Sequence, residues 1–392
     1  MKRITYLIGM AIFLSIFQAN MTYAEEKQET LDLAIDAKAA ILLERDTGEI
    51  LFEKNAHEKL PPASMTKVMT LLLIMEAIDD GRLALSDEIS VSERAASMGG
   101  SQVFLAAGEQ MSVEDLVKAI AIASANDASV ALAEQIAGSE EAFVARMNEK
   151  AKQLNLENTV FQNSSGLPAK NHYTTAYDMA IIAKELLKYE EVLKYTNIYE
   201  DYLRKGEENE FWLVNTNKLV RFYDYVDGLK TGYTSEAKFC LTATAEKEDM
   251  RVVTVVMGAD SAKNRNAMTM NLIDYAFSHF ETEKLFDKGE TVADVEHVQS
   301  ENWHYDVKTS ESISLLHKKG EQTDAAYETE IKIDKDMNIP MKKGAQVGTL
   351  TVKQDGEVVL QSPLIIDEPL EKASYFTLWK RTLQNIAKYQ IS

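Results

Sequence analysis

Pro61-Pro62-Ala63-Ser64-Met65-Thr66-Lys67, continued by the apolar residues Val68, Met69, Leu71, Leu72, Leu73, Ile74, Met75, Ala77 and Ile78, is the stretch whose reading decides the fold. The prolyl pair fixes the start of a helix, because proline suits a first helical turn and interrupts a preceding strand. The run predicts a helix from Pro62 towards Ile78 that is apolar nearly all round. Such a helix belongs in the middle of a large domain. Ser64 and Lys67 stand three apart, so their side chains share a face of the first turn. A serine there has its own N–H among the unpaired donors of the helix start, aimed at any oxyanion that forms. A lysine shielded from water favours its neutral amine and can serve as a base. The geometry points to acyl transfer or hydrolysis through a serine.

Spacing alone does not choose this reading. A second match, Ser235-Glu236-Ala237-Lys238, follows Gly232-Tyr233-Thr234 with no apolar helix behind it. Taken by itself, Ser64 is equally a helix-start serine beside a solvated lysine. Context has to decide.

Working outward, Ala39 to Leu43 and Ile50 to Phe52 flank Asp46-Thr47-Gly48, a strand–turn–strand hairpin. Beyond the apolar helix, Ser112-Val113-Glu114-Asp115 reads as a helix start leading through Leu116, Ile120 and Ile122 towards Ser124. Helical periodicity resumes after Asn126 to about Leu154, and again from Thr175-Ala176-Tyr177-Asp178 through Leu187. Strand signals return at Phe239 to Ala245 and Arg251 to Ala259, and Asn264 to Phe280 reads as an amphipathic helix. Two strands, a long helical insertion, more strands and a closing helix make an α+β fold: an antiparallel sheet carrying helices, with a helical subdomain inserted.

From about Glu290 short β-rich stretches take over, with Val347 to Val352 and Glu357 to Leu360 flanking the hairpin signal Gln354-Asp355-Gly356. This is a small all-β domain without a catalytic cluster. In the last segment Tyr375, Phe376, Trp379, Leu383, Ile386 and Ala387 recur at helical spacing among Lys372, Lys380, Arg381 and Lys388, and no acidic residue follows Glu371. A cationic amphipathic helix of this kind reads as an interfacial membrane anchor, with docking onto the β domain as the alternative.

Length and composition set the outer bounds. A chain of 392 residues accommodates two or three domains, and 45% hydrophobic with 27% charged residues is ordinary for a globular protein. A net charge of −20 argues against nucleic acid as partner. The one cysteine, Cys240, rules out an internal disulfide and, within Phe239-Cys240-Leu241, reads as a buried small residue. No His-x-x-x-His or cysteine cluster calls for a metal, and nothing calls for a cofactor. Lys2-Arg3, the apolar run Ile4 to Phe17 and Thr22-Tyr23-Ala24 form a secretory signal peptide, so the mature chain from Glu25 works outside the cytoplasm.

Two further motifs share the helix's chemistry. Ser124-Ala125-Asn126 falls between two expected helices, where a short loop presents both side chains to a cleft; a decoy, Ser300-Glu301-Asn302, falls in the β domain. Lys230-Thr231-Gly232 lies between Asp227-Gly228 and the strand run. Its glycine lets a substrate backbone approach the strand edge, its lysine offers charge to a carboxylate, and its threonine a hydroxyl. Each has a bland alternative, as a cap, a turn or a solvated strand lysine. Together and in order, Ser-x-x-Lys, Ser-x-Asn and Lys-Thr-Gly form the set of the penicillin-recognising serine enzymes.

On these residues the chain resembles the low-molecular-mass penicillin-binding proteins that act as D-alanyl-D-alanine carboxypeptidases, most of all the sporulation-associated members of spore-forming Gram-positive bacteria. The resemblance implies a signal peptide over 1–24, a penicillin-binding/serine β-lactamase-like transpeptidase domain over 25–285, a small β domain over 286–368 and an amphipathic membrane-associating helix over 369–392. Ala125 stands where glycine is usual, a change to another small residue that leaves both polar groups in place. The resemblance assigns Ser64 as nucleophile, Lys67 as base and Ser124 as proton relay to the departing amine. Asn126 would hold the substrate amide, and Lys230 and Thr231 the terminal carboxylate beside Gly232. The N–H groups of Ser64 and Tyr233 would form the oxyanion hole. The partners implied are peptidoglycan stems ending in D-Ala-D-Ala and β-lactams as covalent inhibitors. A β-lactamase is the nearest rival, weakened because no Glu-x-x-Asn lies between Ser124 and Lys230. A penicillin-binding sensor with vestigial chemistry is the rival of another class. His172 reads as either a residue lining the cleft or, more simply, a loop residue before a capped helix, and Arg265 as either a carboxylate ligand or a solvated helix-start arginine.

Overall fold

The computed structural model describes residues 32–321, 327–334 and 337–389, and the side chains up to 383. The expected signal peptide over 1–24 lies outside the described residues.

The apolar pattern produces one central antiparallel sheet. Ala39–Glu44 (β1) and Ile50–Lys54 (β2) form the expected hairpin, while Val226–Thr234 (β3), Lys238–Lys247 (β4) and Met250–Ala259 (β5) form the second group. The order across the sheet is β2-β1-β5-β4-β3, so the two ends of the region close on each other through the β1–β5 pairing, with Ile41 opposite Val255. Every residue of β5 is buried, which requires cover on both faces. Val253, Val255 and Met257 join the core of the helical region. The alternate residues face the other way, towards helix Ala262–His279, because strand side chains alternate.

Between β2 and β3 lies the expected helical insertion, with helices Lys67–Asp79, Val113–Ala123, Asn126–Ala137, Glu140–Gln153 and Ala176–Leu186. Ser112, Ser139 and Thr175 each cap the helix that follows by accepting from a backbone N–H three residues on. The insertion is not purely helical. Two short ribbons, Glu88–Ser90 with Gln110–Ser112 and Glu200–Leu203 with Phe211–Val214, lie within it. Runs of three and four residues are too short to show a period of two.

Strand structure resumes directly at the end of helix Ala262–His279. Phe280–Phe286 pairs with Ile313–Lys318, and Thr291–Glu296, His304–Thr309, Glu357–Ile365, Gln346–Gln354 and Tyr327–Ile333 follow in that order across a second antiparallel sheet. Tyr305, Val307, Ile313, Leu315, Val347, Leu350, Val352 and Leu364 fill its core. Helix Tyr375–Tyr389 follows. None of the described helices is long and apolar enough to cross a membrane.

Candidate active site

The approach to the central helix differs from the expectation in one respect. Ala63–Thr66 is a 3-10 turn and the α-helix proper begins at Lys67. The prolines lack the N–H groups that would extend an α-helical ladder backwards, and Ala63 sits at φ 48. In a 3-10 turn residues three apart eclipse, which keeps Ser64 over Lys67 all the same.

Lys67 is wholly buried. Its Nζ lies 2.6 Å from Asn126 Oδ1, 2.6 Å from the Ser165 carbonyl oxygen and 3.3 Å from Ser64 Oγ. Burial, and then the nearby Lys230 charge, hold its amine well below the ordinary lysine range, against the opposing pull of Asp127. A neutral amine has two N–H donors and one lone pair. The two short contacts occupy the donors, which leaves the lone pair for Ser64 Oγ.

Ser124 ends helix Val113–Ala123 in the left-handed conformation (φ 64) and Asn126 begins the next, so the expected short loop is a two-helix joint. Ser124 Oγ is buried with no hydrogen-bond partner among the described residues. Asn126 Oδ1 accepts from Lys67, and Asn126 Nδ2 donates one of its two N–H groups to the Gly99 carbonyl at 2.7 Å.

β3 brings the third motif alongside. A Cβ on Gly232 would stand 2.8 Å from the Pro62 carbonyl oxygen and 3.2 Å from Met65 N, so only glycine lets this strand lie so close to the Ser64 turn. Lys230 is buried, and Thr231 Oγ1 donates to Thr216 Oγ1 at 2.8 Å. Burial, with the Arg265 charge behind it, pushes Lys230 down to about 7. Arg265, itself buried and pushed down to about 10 by burial, is therefore part of the cluster rather than a solvated arginine. Tyr233 is exposed at the strand's end.

The structure thus joins Ser64, Lys67 and Asn126 by hydrogen bonds, sets Lys230 near enough for its charge to act on Lys67, and lays Gly232, with Thr231 beside it, against the Ser64 turn, while Ser124 stands two residues before Asn126 at the helix joint. It leaves both decoys elsewhere. Ser235-Glu236-Ala237 is the turn of the β3–β4 hairpin, with Lys238 exposed, and Ser300-Glu301-Asn302 lies in the β domain. One contributor escaped the sequence reading: the Ser165 carbonyl, presented by the turn Asn163–Gly166, where a Cβ on Gly166 would stand 1.8 Å from the Ala63 carbonyl oxygen. His172, which the sequence reads more simply as a loop residue, is buried, and its Nε2 lies 2.9 Å from Thr66 Oγ1. A cavity of about 550 Å³ opens beside Pro62, Ala63, Gly166 and Thr234. A larger one of about 740 Å³, against the β domain, is lined by lysines and aspartates remote from this cluster, and volume alone does not make it the reacting site.

Over residues 23–261 the chain matches the D-alanyl-D-alanine carboxypeptidase family, and over 280–372 the C-terminal domain of penicillin-binding protein 5. It is 50% identical over 390 residues to the D-alanyl-D-alanine carboxypeptidase DacF of Bacillus subtilis, spanning 100% of both chains. To the D-alanyl-D-alanine carboxypeptidase DacC of Escherichia coli it is 34% identical over 383 residues, 94% of this chain and 92% of that one. The crystal structures of penicillin binding protein 5 from Haemophilus influenzae superpose with a TM-score of 0.65 at 29% identity, over 86% of this chain and 98% of that one.

Proposed function

The chain belongs to the D-alanyl-D-alanine carboxypeptidase family, and from that premise we propose how its own residues divide the work. It is a penicillin-binding serine hydrolase that removes the terminal D-alanine from peptidoglycan stems. Ser64 Oγ attacks the carbonyl between the two D-alanines as Lys67 takes its proton. The observation that carries this is the pair of 2.6 Å contacts on Lys67, which leave its lone pair for Ser64. The N–H groups of Ser64 and Tyr233 receive the oxyanion. As the C–N bond breaks, Ser124, whose hydroxyl is otherwise uncommitted, gives its proton to the departing amine and takes the one held by Lys67, which leaves both groups as they began. Water cleaves the ester with Lys67 again as base.

Lys230 and Thr231, backed by Arg265, take the terminal carboxylate, which explains why an exopeptidase carries cations here. Asn126 holds the Lys67 amine in register through its Oδ1, and with one N–H of Nδ2 on Gly99 it offers the other to the substrate amide. β-Lactams enter the same acylation and leave Ser64 as a slow ester.

Residues 25–285 form the catalytic domain in this reading, 286–368 the β domain and 369–392 the membrane-associating helix, with 1–24 a signal peptide that exports the chain to the outer face of the cytoplasmic membrane or beyond. Arg381 supports the tail assignment: it donates to the Val298, Ser300 and Glu301 carbonyls and leaves Tyr375, Phe376, Trp379 and Leu383 exposed on the other side. A role in spore-cortex maturation rests on the resemblance of the motif wording to sporulation-associated members of the family, and muropeptide analysis of spores lacking the enzyme tests it.

The deciding experiment measures D-alanine release from diacetyl-L-Lys-D-Ala-D-Ala. Release is lost in Ser64→Ala and kept in Ser235→Ala. Release surviving Ser64→Ala would overturn the assignment.

A further inference from the structure

Lys67 owes its geometry to two acceptors, one at a helix start steadied by an irregular segment and one carried in a turn. Asn126 is steadied by Gly99, whose carbonyl accepts from Nδ2, and by Ser101, whose carbonyl accepts from the Asn126 N–H at 2.7 Å. The other acceptor, Ser165, lies in the turn Asn163–Gly166. Loops are the mobile part of a fold, yet a base must be held to a fraction of an ångström. Something outside the cluster has to tie both segments down.

Glu140 has the contacts to do so. It is the first residue of helix Glu140–Gln153 and is buried. Its Oε1 accepts from Ser164 N at 3.1 Å and from Ser164 Oγ at 2.9 Å. Its Oε2 accepts from Arg94 Nη2 at 2.9 Å. Arg94 stands on the one-turn helix Glu93–Ala96, which leads into Gly99 and Ser101. One carboxylate therefore spans from the segment that fixes Asn126 to the turn that presents Ser165. On its far side Ser164 is fastened too, its carbonyl accepting from Thr70 Oγ1 at 2.6 Å, three residues beyond Lys67 on the central helix. Charge-assisted hydrogen bonds are the strong kind; the bonds to Ser164 are buried and escape screening, whereas the Arg94 side chain is more than half exposed, so that end of the link is the weaker one.

We propose that Glu140 is a positioning residue for the catalytic base: through Ser164 on one side and Arg94 on the other, it sets the pair of acceptors that orient the Lys67 amine. Glu140 forms no hydrogen bond with Ser64, Lys67, Ser124, Asn126 or Lys230, so it acts only through the segments it holds. The proposal rests on the reading of Lys67 as base.

The test compares Glu140→Ala, Glu140→Gln, Arg94→Gln and Lys67→Ala in the full chain. Rates are expressed per active site, counted by exhaustive labelling with a fluorescent penicillin. In Glu140→Ala the rate at saturating peptide falls by roughly 10- to 100-fold, the cost of a displaced reacting group. KM stays within about twofold, because no substrate contact is removed. The acid limb of kcat/KM, which reports Lys67 deprotonation, moves from its wild-type position. Glu140→Gln, which keeps an oxygen for Ser164, recovers part of the rate. Arg94→Gln, an exposed substitution that leaves the core intact, shows a smaller loss in the same direction and serves if Glu140→Ala does not fold. A loss appearing only as fewer labelled sites, with rate and pH profile per site unchanged, makes Glu140 merely structural and overturns the proposal. Wild-type behaviour of Glu140→Ala beside an inactive Lys67→Ala overturns this inference alone. An active Lys67→Ala overturns the base assignment beneath it.

Discussion

Lys230, the proposed carboxylate ligand, is where pH acts most directly on substrate capture. Burial and the Arg265 charge bring it down to about 7, and only its ammonium form attracts a carboxylate. The sign follows: as pH rises through 7 the free enzyme loses the cation, so kcat/KM falls on the alkaline side. kcat falls less, because a bound carboxylate favours the charged form. A pH profile of peptide release checks this, and in Lys230→Arg the alkaline limb moves upward at whatever rate remains, since a guanidinium holds its proton. Gly166 gives a second test. Its φ of 86 and the 1.8 Å approach to the Ala63 carbonyl leave no room for a methyl group. Gly166→Ala therefore costs on the order of 3 kcal/mol of stability and displaces the Ser64 turn, read as a lowered Tm and slowed penicillin acylation. At this scale the side-chain contributors were legible because serine, lysine and asparagine announce their chemistry by type. The Ser165 carbonyl was not, since every residue carries one. For Arg265 the choice between carboxylate ligand and solvated arginine could have been narrowed: with Met268, Thr269, Leu272, Ile273 and Ala276 it repeats at helical spacing on the buried face.

Whole elements separate the buried tetrad from its decoy more clearly than single residues do. Ser64-x-x-Lys67 leads into thirteen helical residues, all but three of them buried, whereas Ser235-x-x-Lys238 rounds a hairpin that Thr234 and Lys238 close by pairing. The apolar run after Lys67 was the discriminating signal, because it alone carries a lysine into the interior. What remained illegible was the segment from Val160 to Tyr173, whose place depends on distant partners: Val160 bridges Tyr173, and Asn148 accepts from Phe161 N. His172 ties that segment to the tetrad through Thr66. Burial lowers His172 to about 4, below its unfolded value of about 6.5. The neutral ring's contribution is thus complete above pH 6.5 and is lost as pH falls towards 4. Linkage puts this at roughly 3 kcal/mol. Thermal melts between pH 7 and 4 should show it, and His172→Gln should flatten that part of the slope.

For the molecule as a whole, the net charge of −20 sets a problem for the membrane-bound reading, because an anionic bilayer repels an acidic body. Beyond about 8 Å at physiological salt that repulsion is screened, so attachment is decided within the tail. There Arg381 is turned inward, buried over the Trp303 ring at 5.1 Å and spent on backbone carbonyls. It therefore adds little attraction to lipid. Its contribution is to fix which side of helix Tyr375–Tyr389 faces the β domain, leaving Tyr375, Phe376, Trp379 and Leu383 outward. The two readings of the tail drawn from sequence, docked helix and membrane anchor, are compatible for this reason: docking uses the arginine side and leaves the aromatic side free. Periodicity revealed the amphipathic face but not which cation would be withdrawn, since that depends on carbonyls some eighty residues away. If apolar burial drives attachment, each large side chain contributes about 1.5–3 kcal/mol. Phe376→Ser with Trp379→Ser should then weaken binding to phosphatidylglycerol-containing vesicles at least tenfold, with release from a soluble peptide unchanged. Raising salt should cost the wild type much less binding than that double substitution does. Vesicle flotation at two salt concentrations measures both, and binding that collapses with salt but survives loss of the aromatics would place the attachment on Lys372 and Lys380 instead.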